Sequence, residues 1–168
     1  GKAGRMTIRR LILAASMMLA LATAPVASAA PATGGSSATI LGALRIEKTS
    51  DLNFGQLAVP GQPGVVRIRA DNSRVCSNGL VCMGSASAAA FTLHGRPNER
   101  VEISLDKSTV NLTNAAGNRI SASLSQSHSH IRLNGGEAVF QIFGTLQVRA
   151  NQAPGAYRGS FSVLVQYD

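Results

Sequence analysis

The stretch "GAYRGSFSVLVQYD", Gly155 to Asp168, opens on a glycine, then places apolar side chains at Tyr157, Phe161, Val163, Val165 and Tyr167. Alternation of this kind is the signature of a strand with one face turned to a core. A chain end frays unless it is tied down, so a terminal segment this strand-like is expected to be paired within the fold or held by a partner.

Working back from it, the same period of two recurs. Ile40, Leu44 and Ile46 share one face of a first strand, and Val66, Ile68 and Ala70 share one in "VVRIRA", with Arg67 and Arg69 opposite. Val101, Ile103 and Leu105 alternate with Glu102, Ser104 and Asp106, and Leu146, Val148 and Ala150 alternate with Gln147 and Arg149. The alanines of "SASAAAFTLHG" favour helix, but Phe91 and Leu93 alternate with Thr92 and His94, and Gly95 stops the run, so it reads as a strand. One polar face per strand indicates half-buried antiparallel sheets.

Turn signals separate the runs: Pro60-Gly61, Pro63-Gly64, Gly95 to Asn98, Asn114 to Asn118, Asn134-Gly135-Gly136 and Pro154-Gly155. Some eight or nine short strands at this spacing predict an all-β fold, an immunoglobulin-like antiparallel β-sandwich. Asp71 to Ser87 and Asn114 to His130 read as its loops.

Ahead of the strands, Met6 to Ala29 has the layout of a secretory signal. Arg9 and Arg10 are followed by the apolar run Leu11 to Ala24 and the small-residue sequence Ala27-Ser28-Ala29. The run is shorter than the ~20 residues a spanning helix needs. Cleavage after Ala29 would leave 139 of the 168 residues, the size of one domain. Residues 1–29 are thus expected to be a signal peptide starting at Met6, 30–38 a Pro/Gly/Ser-rich leader, and 39–168 a single domain with no transmembrane segment. Export to the periplasm, cell surface or medium follows.

Four of the sixteen basic residues leave with the signal, so twelve remain against eight acidic, a net charge of +4. Arg67, Arg69, Arg74, Arg96 and Arg100 are interspersed with Asp71, Glu99 and Glu102, a mixed solvated face that argues against a nucleic-acid partner. Cys76 and Cys82, flanking the turn dipeptide Asn78-Gly79, are an even pair in an exported chain and are expected to form a disulfide. A ring that small is worth roughly 2 kcal/mol in the chain-entropy picture.

No catalytic constellation is present: the sequence contains no G-x-S-x-G, H-E-x-x-H, P-loop or G-x-G-x-x-G. Ser104 and Lys107 fit S-x-x-K, but the motif works from a helix, and on a strand the two side chains point to opposite faces. His128 and His130 share a face at a spacing that suits a metal, yet no third ligand is near in sequence, and His94 is distant. Asn111-Leu112-Thr113 is a glycosylation sequon only where the host uses that pathway. No enzyme activity, cofactor or metal is expected.

Four segments in order, "DLNFGQL" (Asp51 to Leu57), "FTLHGRPNERVEISL" (Phe91 to Leu105), "GTLQV" (Gly144 to Val148) and "NQAPGAYRGSFSVLVQYD" (Asn151 to Asp168), resemble the bacterial exported family called domain of unknown function 4402. That family is similar to the spore-coat-U and chaperone-usher fimbrial subunits, which are immunoglobulin-like sandwiches. Pilus subunits typically carry a glycine fourteenth from the C-terminus, a penultimate tyrosine and alternating apolar residues between; Gly155, Phe161, Val163, Val165 and Tyr167 match.

The resemblance implies a subunit lacking one strand, whose groove is covered first by a periplasmic chaperone, at an outer-membrane usher, and then by the N-terminal extension of another copy or a related subunit. Main-chain hydrogen bonds supply affinity in such strand addition, and alternate side chains supply register. The candidate assembly strand is Gly155 to Tyr167. Ile40, Gly42, Leu44 and Ile46 are the candidate donor strand, and burying its three large side chains would contribute on the order of 5–9 kcal/mol before ordering costs. The same stretch also fits the molecule's own first strand. Two readings stand: a non-enzymatic structural subunit of a pilus-like or coat-like assembly, or a self-contained secreted β-sandwich acting as a binding or adhesin module.

Overall fold

Period-two patterning becomes strands in about half of the structure, a computed structural model that describes residues 42–58, 61–77 and 79–168. The expected signal peptide and leader, together with Ile40, lie outside these residues. Twelve strands are described: β1 (Arg45–Ser50), β2 (Gln56–Leu57), β3 (Gly64–Ile68), β4 (Arg74–Cys76), β5 (Cys82–Met83), β6 (Ala89–His94), β7 (Arg100–Leu105), β8 (Thr109–Thr113), β9 (Arg119–Gln126), β10 (His130–Arg132), β11 (Glu137–Val148) and β12 (Val163–Tyr167). Among the described residues there is no helix, and every strand pairing is antiparallel.

Seven strands form the large sheet. Its path is β1-β6-β11-β3-β4, and β9, carrying β8, joins the other edge of β11. The second sheet is β10-β7-β12, and β2 pairs with β5 as a separate ribbon. β11 organises the large sheet because its twelve residues serve three neighbours: Glu137 to Ile142 pair with β6, Gly144 to Val148 with β3, and Ile142 to Gln147 with β9. Gly144 sits where β9 comes closest. A Cβ there would run into the carbonyl oxygen of Ser123, so only glycine permits the approach.

The inward faces of both sheets meet in one apolar cluster. Val66, Ile68, Leu93, Phe140 and Ile142 come from the large sheet, Val101 and Ile103 from the small one, and Leu133 from the turn after β10; each is almost completely buried. Side chains of this size stabilise by about 1.5–3 kcal/mol each when taken out of water. Phe91 and Phe140, directly opposite in the β6–β11 ladder, stack with ring centroids 5.2 Å apart.

Several expectations change. The first strand starts later than the pattern Ile40 to Ile46 suggests, since β1 begins at Arg45 and is held by β6 through Ser50, beyond the expected apolar row. The stretch Asn114 to His130 is no loop: β9 runs through it, with Ile120, Ala122 and Leu124 buried and Ser121, Ser123 and Ser125 outward. Asp71 to Ser87 likewise contains β4 and β5. The terminal strand is shorter than its apolar pattern, because Tyr157 and Phe161 pack on the core from irregular chain ahead of β12.

Candidate functional site

β12 is the terminal strand of the small sheet and pairs with β7 alone. The Asp168 N–H donates to the Arg100 carbonyl at 2.9 Å, and the Asp106 N–H donates to the Ser162 carbonyl at 3.0 Å. In an antiparallel ladder the main-chain groups of successive residues turn to opposite edges. Leu164 and Gln166 therefore bond to β7, while the N–H and C=O groups of Val163, Val165 and Tyr167 face the other edge. Among the described residues no strand pairs with that edge.

The side chains of the same three residues turn inward. Val163, Val165 and Tyr167 are half-buried against the core, as are Tyr157 and Phe161, so all five predicted apolar positions pack on the same core cluster, three of them from β12. None reaches the near-zero exposure of Val101 and Ile103 on the adjacent strand. Leu164, on the outer face, is 62% exposed.

The approach to β12 is fixed by hydrogen bonds. Gly155 adopts φ 135°, a conformation that favours glycine, in the bend before Tyr157. The Tyr157 hydroxyl donates to the Ala153 carbonyl at 2.6 Å and accepts from Gln152 Nε2 at 3.0 Å, and that amide also donates to the Arg119 carbonyl at 3.2 Å. Thr113 and Arg158 exchange two main-chain bonds of 2.8 and 2.9 Å. The Ser162 N–H donates to Asp106 Oδ1 at 2.8 Å, just ahead of the strand.

β1 is a terminal strand of the large sheet, as β4 and β8 are, and β10 is the other terminal strand of the small one. The Gly95 N–H donates to the Gly136 carbonyl at 2.9 Å, which turns the main chain of Phe91 and Leu93 toward β11 and that of Thr92 and His94 toward β1. Arg45 and Glu47 therefore bond to β6, and the main chain of Ile46 faces outward, where no described strand pairs with it. Leu44 packs against the core, and Ile46, opposite buried Leu93, is 36% exposed. The described part of the candidate donor segment, Gly42, Leu44 and Ile46, is thus the approach to and start of β1 in this chain's own sheet.

The two edges meet at one end. The Tyr167 hydroxyl donates to the Gly42 carbonyl at 2.8 Å and accepts from the Arg96 N–H at 3.0 Å. Gly95 leaves room for this junction, since a Cβ there would lie 2.6 Å from the Tyr167 hydroxyl and 2.8 Å from Leu133.

Elsewhere, Cys76 and Cys82 form a disulfide beside β2 and β5. The Arg74 guanidinium braces the same region by donating to the carbonyls of Phe54 (3.1 Å), Met83 (3.0 Å) and Gly84 (3.2 Å), a role the sequence pattern did not suggest. His94 lies on β6, between Glu47 and Glu137 and away from His128 and His130. Among the described residues no group of three or more His, Cys, Asp or Glu side chains is arranged to hold a metal ion.

The chain belongs to the family described as Domain of unknown function (DUF4402), which matches residues 44–167 and so takes in β1 and β12. No curated protein matches it. No solved structure matches it.

Proposed function

We propose that this chain is a non-enzymatic exported structural subunit, with an immunoglobulin-like sandwich fold, that joins a pilus-like or coat-like surface assembly by β-strand complementation. The observation that carries the reading is the state of β12. Val163, Val165 and Tyr167 turn their main-chain hydrogen-bonding groups to an edge with no described strand on it, while their side chains are only half covered. An incoming strand would satisfy those groups and finish burying that row, which is how strand addition gains both affinity and register. The Tyr157 hydroxyl bonded four residues back to Ala153 supports the sandwich assignment, since immunoglobulin-like domains fasten the corner before a late strand with a tyrosine of this kind. Copies of this chain or related subunits are the intended partners, with a periplasmic chaperone and an outer-membrane usher as the machinery the family resemblance implies.

Proline substitution separates the two edges of β12. Val165→Pro removes an N–H that faces the open edge and leaves the β7 ladder intact, a placement proline tolerates on edge strands. Leu164→Pro removes an N–H that bonds to β7. On the proposal, Val165→Pro gives a folded monomer that no longer assembles or captures a strand-forming peptide, whereas Leu164→Pro unfolds the small sheet. Normal assembly by a folded Val165→Pro protein would reject the proposal.

A second reading, a self-contained secreted binding module, is favoured by the Asp71 to Ser87 region. There the disulfide and the Arg74 clamp hold β4 and β5 rigid beneath the exposed side chains of Val75, Val81 and Met83. It predicts binding that survives Val165→Pro and is lost on truncating those three side chains.

A further inference from the structure

An unpaired strand edge is a template for another chain, and folds blunt it with bulges, charged side chains, short strands or a covering segment. The other terminal strands are blunted in these ways. β1 carries a register break between Lys48 and Ser50. From β4 the Arg74 side chain reaches the carbonyls of Phe54, Met83 and Gly84. β8 is bridged at Thr113 by Arg158, and β10 is three residues long. β12 has none of these devices: Val163 to Tyr167 carry no charge and no proline, and their register against β7 is unbroken.

Its outer face is equally bare. Leu164, at 62%, is the most exposed large apolar side chain among the described residues. The polar groups around it are engaged within their own sheet, since Gln166 Nε2 donates to Glu102 Oε2 at 2.8 Å and Arg100 Nε pairs with Asp168 Oδ2 at 3.0 Å. An incoming strand on the edge satisfies the main chain of β12 whatever its sequence, but Leu164 asks for an apolar neighbour.

We propose that the unassembled chain closes this edge with a second copy of itself, β12 pairing antiparallel with β12 about a two-fold axis at Val165. The register follows from which residues face outward. Val165 lies opposite Val165 and Val163 opposite Tyr167, each pair exchanging both main-chain bonds. A shift of two residues leaves one outward-facing residue of each copy unpaired, and a shift of one sets outward-facing residues against residues already bonded to β7. In the symmetric register Leu164 falls opposite Gln166 of the second copy and diagonal to its Leu164, so the two exposed leucines cover each other across the axis. Asp168 falls opposite Ser162, and no like charges meet. The contact is isologous and closed. Its consequence, that a strand joining from an assembly must displace this twin, rests on the strand-complementation reading; the dimer itself does not.

The test is sedimentation velocity on the purified chain alone across a concentration series, with cysteine cross-linking to fix the register. The wild-type chain should pass from monomer to dimer, and Leu164→Lys, which sets two like charges across the axis, should weaken the dimer about tenfold. Leu164→Cys mixed with Gln166→Cys should give a disulfide-linked heterodimer, because opposite residues without mutual main-chain bonds have Cα atoms about 4.5 Å apart. Either variant alone should link poorly, its two cysteines lying diagonally at roughly 7–8 Å. A wild-type chain that stays monomeric throughout, a dimer indifferent to Leu164→Lys, or equal cross-linking of the single variants and the mixture overturns the pairing. Assembly is scored separately by Val165→Pro: a chain that dimerises but never assembles rejects strand complementation and keeps the dimer, and one that assembles but never dimerises does the reverse.

Discussion

The phenolic oxygen of Tyr167 lies 2.8 Å from the carbonyl oxygen of Gly42, joining positions 125 residues apart. This bond and the 3.0 Å bond from the Arg96 N–H fasten the end of β12 to the chain just ahead of β1, so one pinned corner joins these two terminal strands. Tyr167→Phe removes both. The expected loss is about 1–2 kcal/mol in urea unfolding, with faster amide exchange at Ala43 to Ile46 and unchanged exchange in the β9–β11 ladder. A local change there without the global loss would place the bond's role in the edge alone.

Gly144→Ala tests the close approach of β9 to β11. The added methyl meets the Ser123 carbonyl oxygen, which is main chain and can move only by displacing its strand. Overpacking against backbone costs about 2–3 kcal/mol, so the urea midpoint should fall with an unchanged slope. A neutral substitution would mean that the two strands separate more readily than the geometry allows.

Cys76→Ser with Cys82→Ser opens the small ring beside the β2–β5 ribbon. The expected cost is about 2 kcal/mol, chiefly through the freedom regained by the unfolded chain. Because Arg74 still donates to Phe54, Met83 and Gly84, the ribbon should persist in the native state. Amide exchange at Leu57 and Cys82 would reveal its loss.

Asp71 carries a proton-linked turn. The Ser73 hydroxyl donates to Asp71 Oδ1 at 2.6 Å and the Ser73 N–H donates to the same oxygen at 3.0 Å, which holds the carboxyl below its ordinary value. A lowered folded-state value means that the contribution is present above the unfolded carboxylate range and is lost as pH falls through the folded one. The Ser73 amide shift should therefore titrate at lower pH than an ordinary aspartate would, and Ser73→Ala should move the Asp71 midpoint upward. An unmoved midpoint would assign the lowering to other groups.

Strand content was legible wherever one face is strongly apolar. Val101 with Ile103 and Val66 with Ile68 mark β7 and β3 because each alternates with charged or polar neighbours. β9 was not, since Ala122 is a weak apolar signal and five serines between 121 and 129 resemble a loop. Its strand character comes from pairing with β11 and β8 and from burial of Ile120, Ala122 and Leu124 in the core cluster, a tertiary effect. The inward row of β12 could be read from alternation alone, and so could its glycine bend. What alternation does not carry is which edge of a strand is paired. That depends on β7 lying between β10 and β12, and no local pattern encodes it. The placement of His94 between Glu47 and Glu137 was hidden for the same reason, because the two carboxylates come beside it only through the registers of β1 and β11.

The most direct measurement of an edge that receives a strand is residue-resolved amide exchange along β12, before and after assembly. In the monomer, Leu164 and Gln166, bonded to β7, should be protected while Val163, Val165 and Tyr167 exchange freely. In the assembled form all five should be protected. Protection of Val163, Val165 and Tyr167 already in the monomer, or their continued free exchange in the assembled form, would contradict the account.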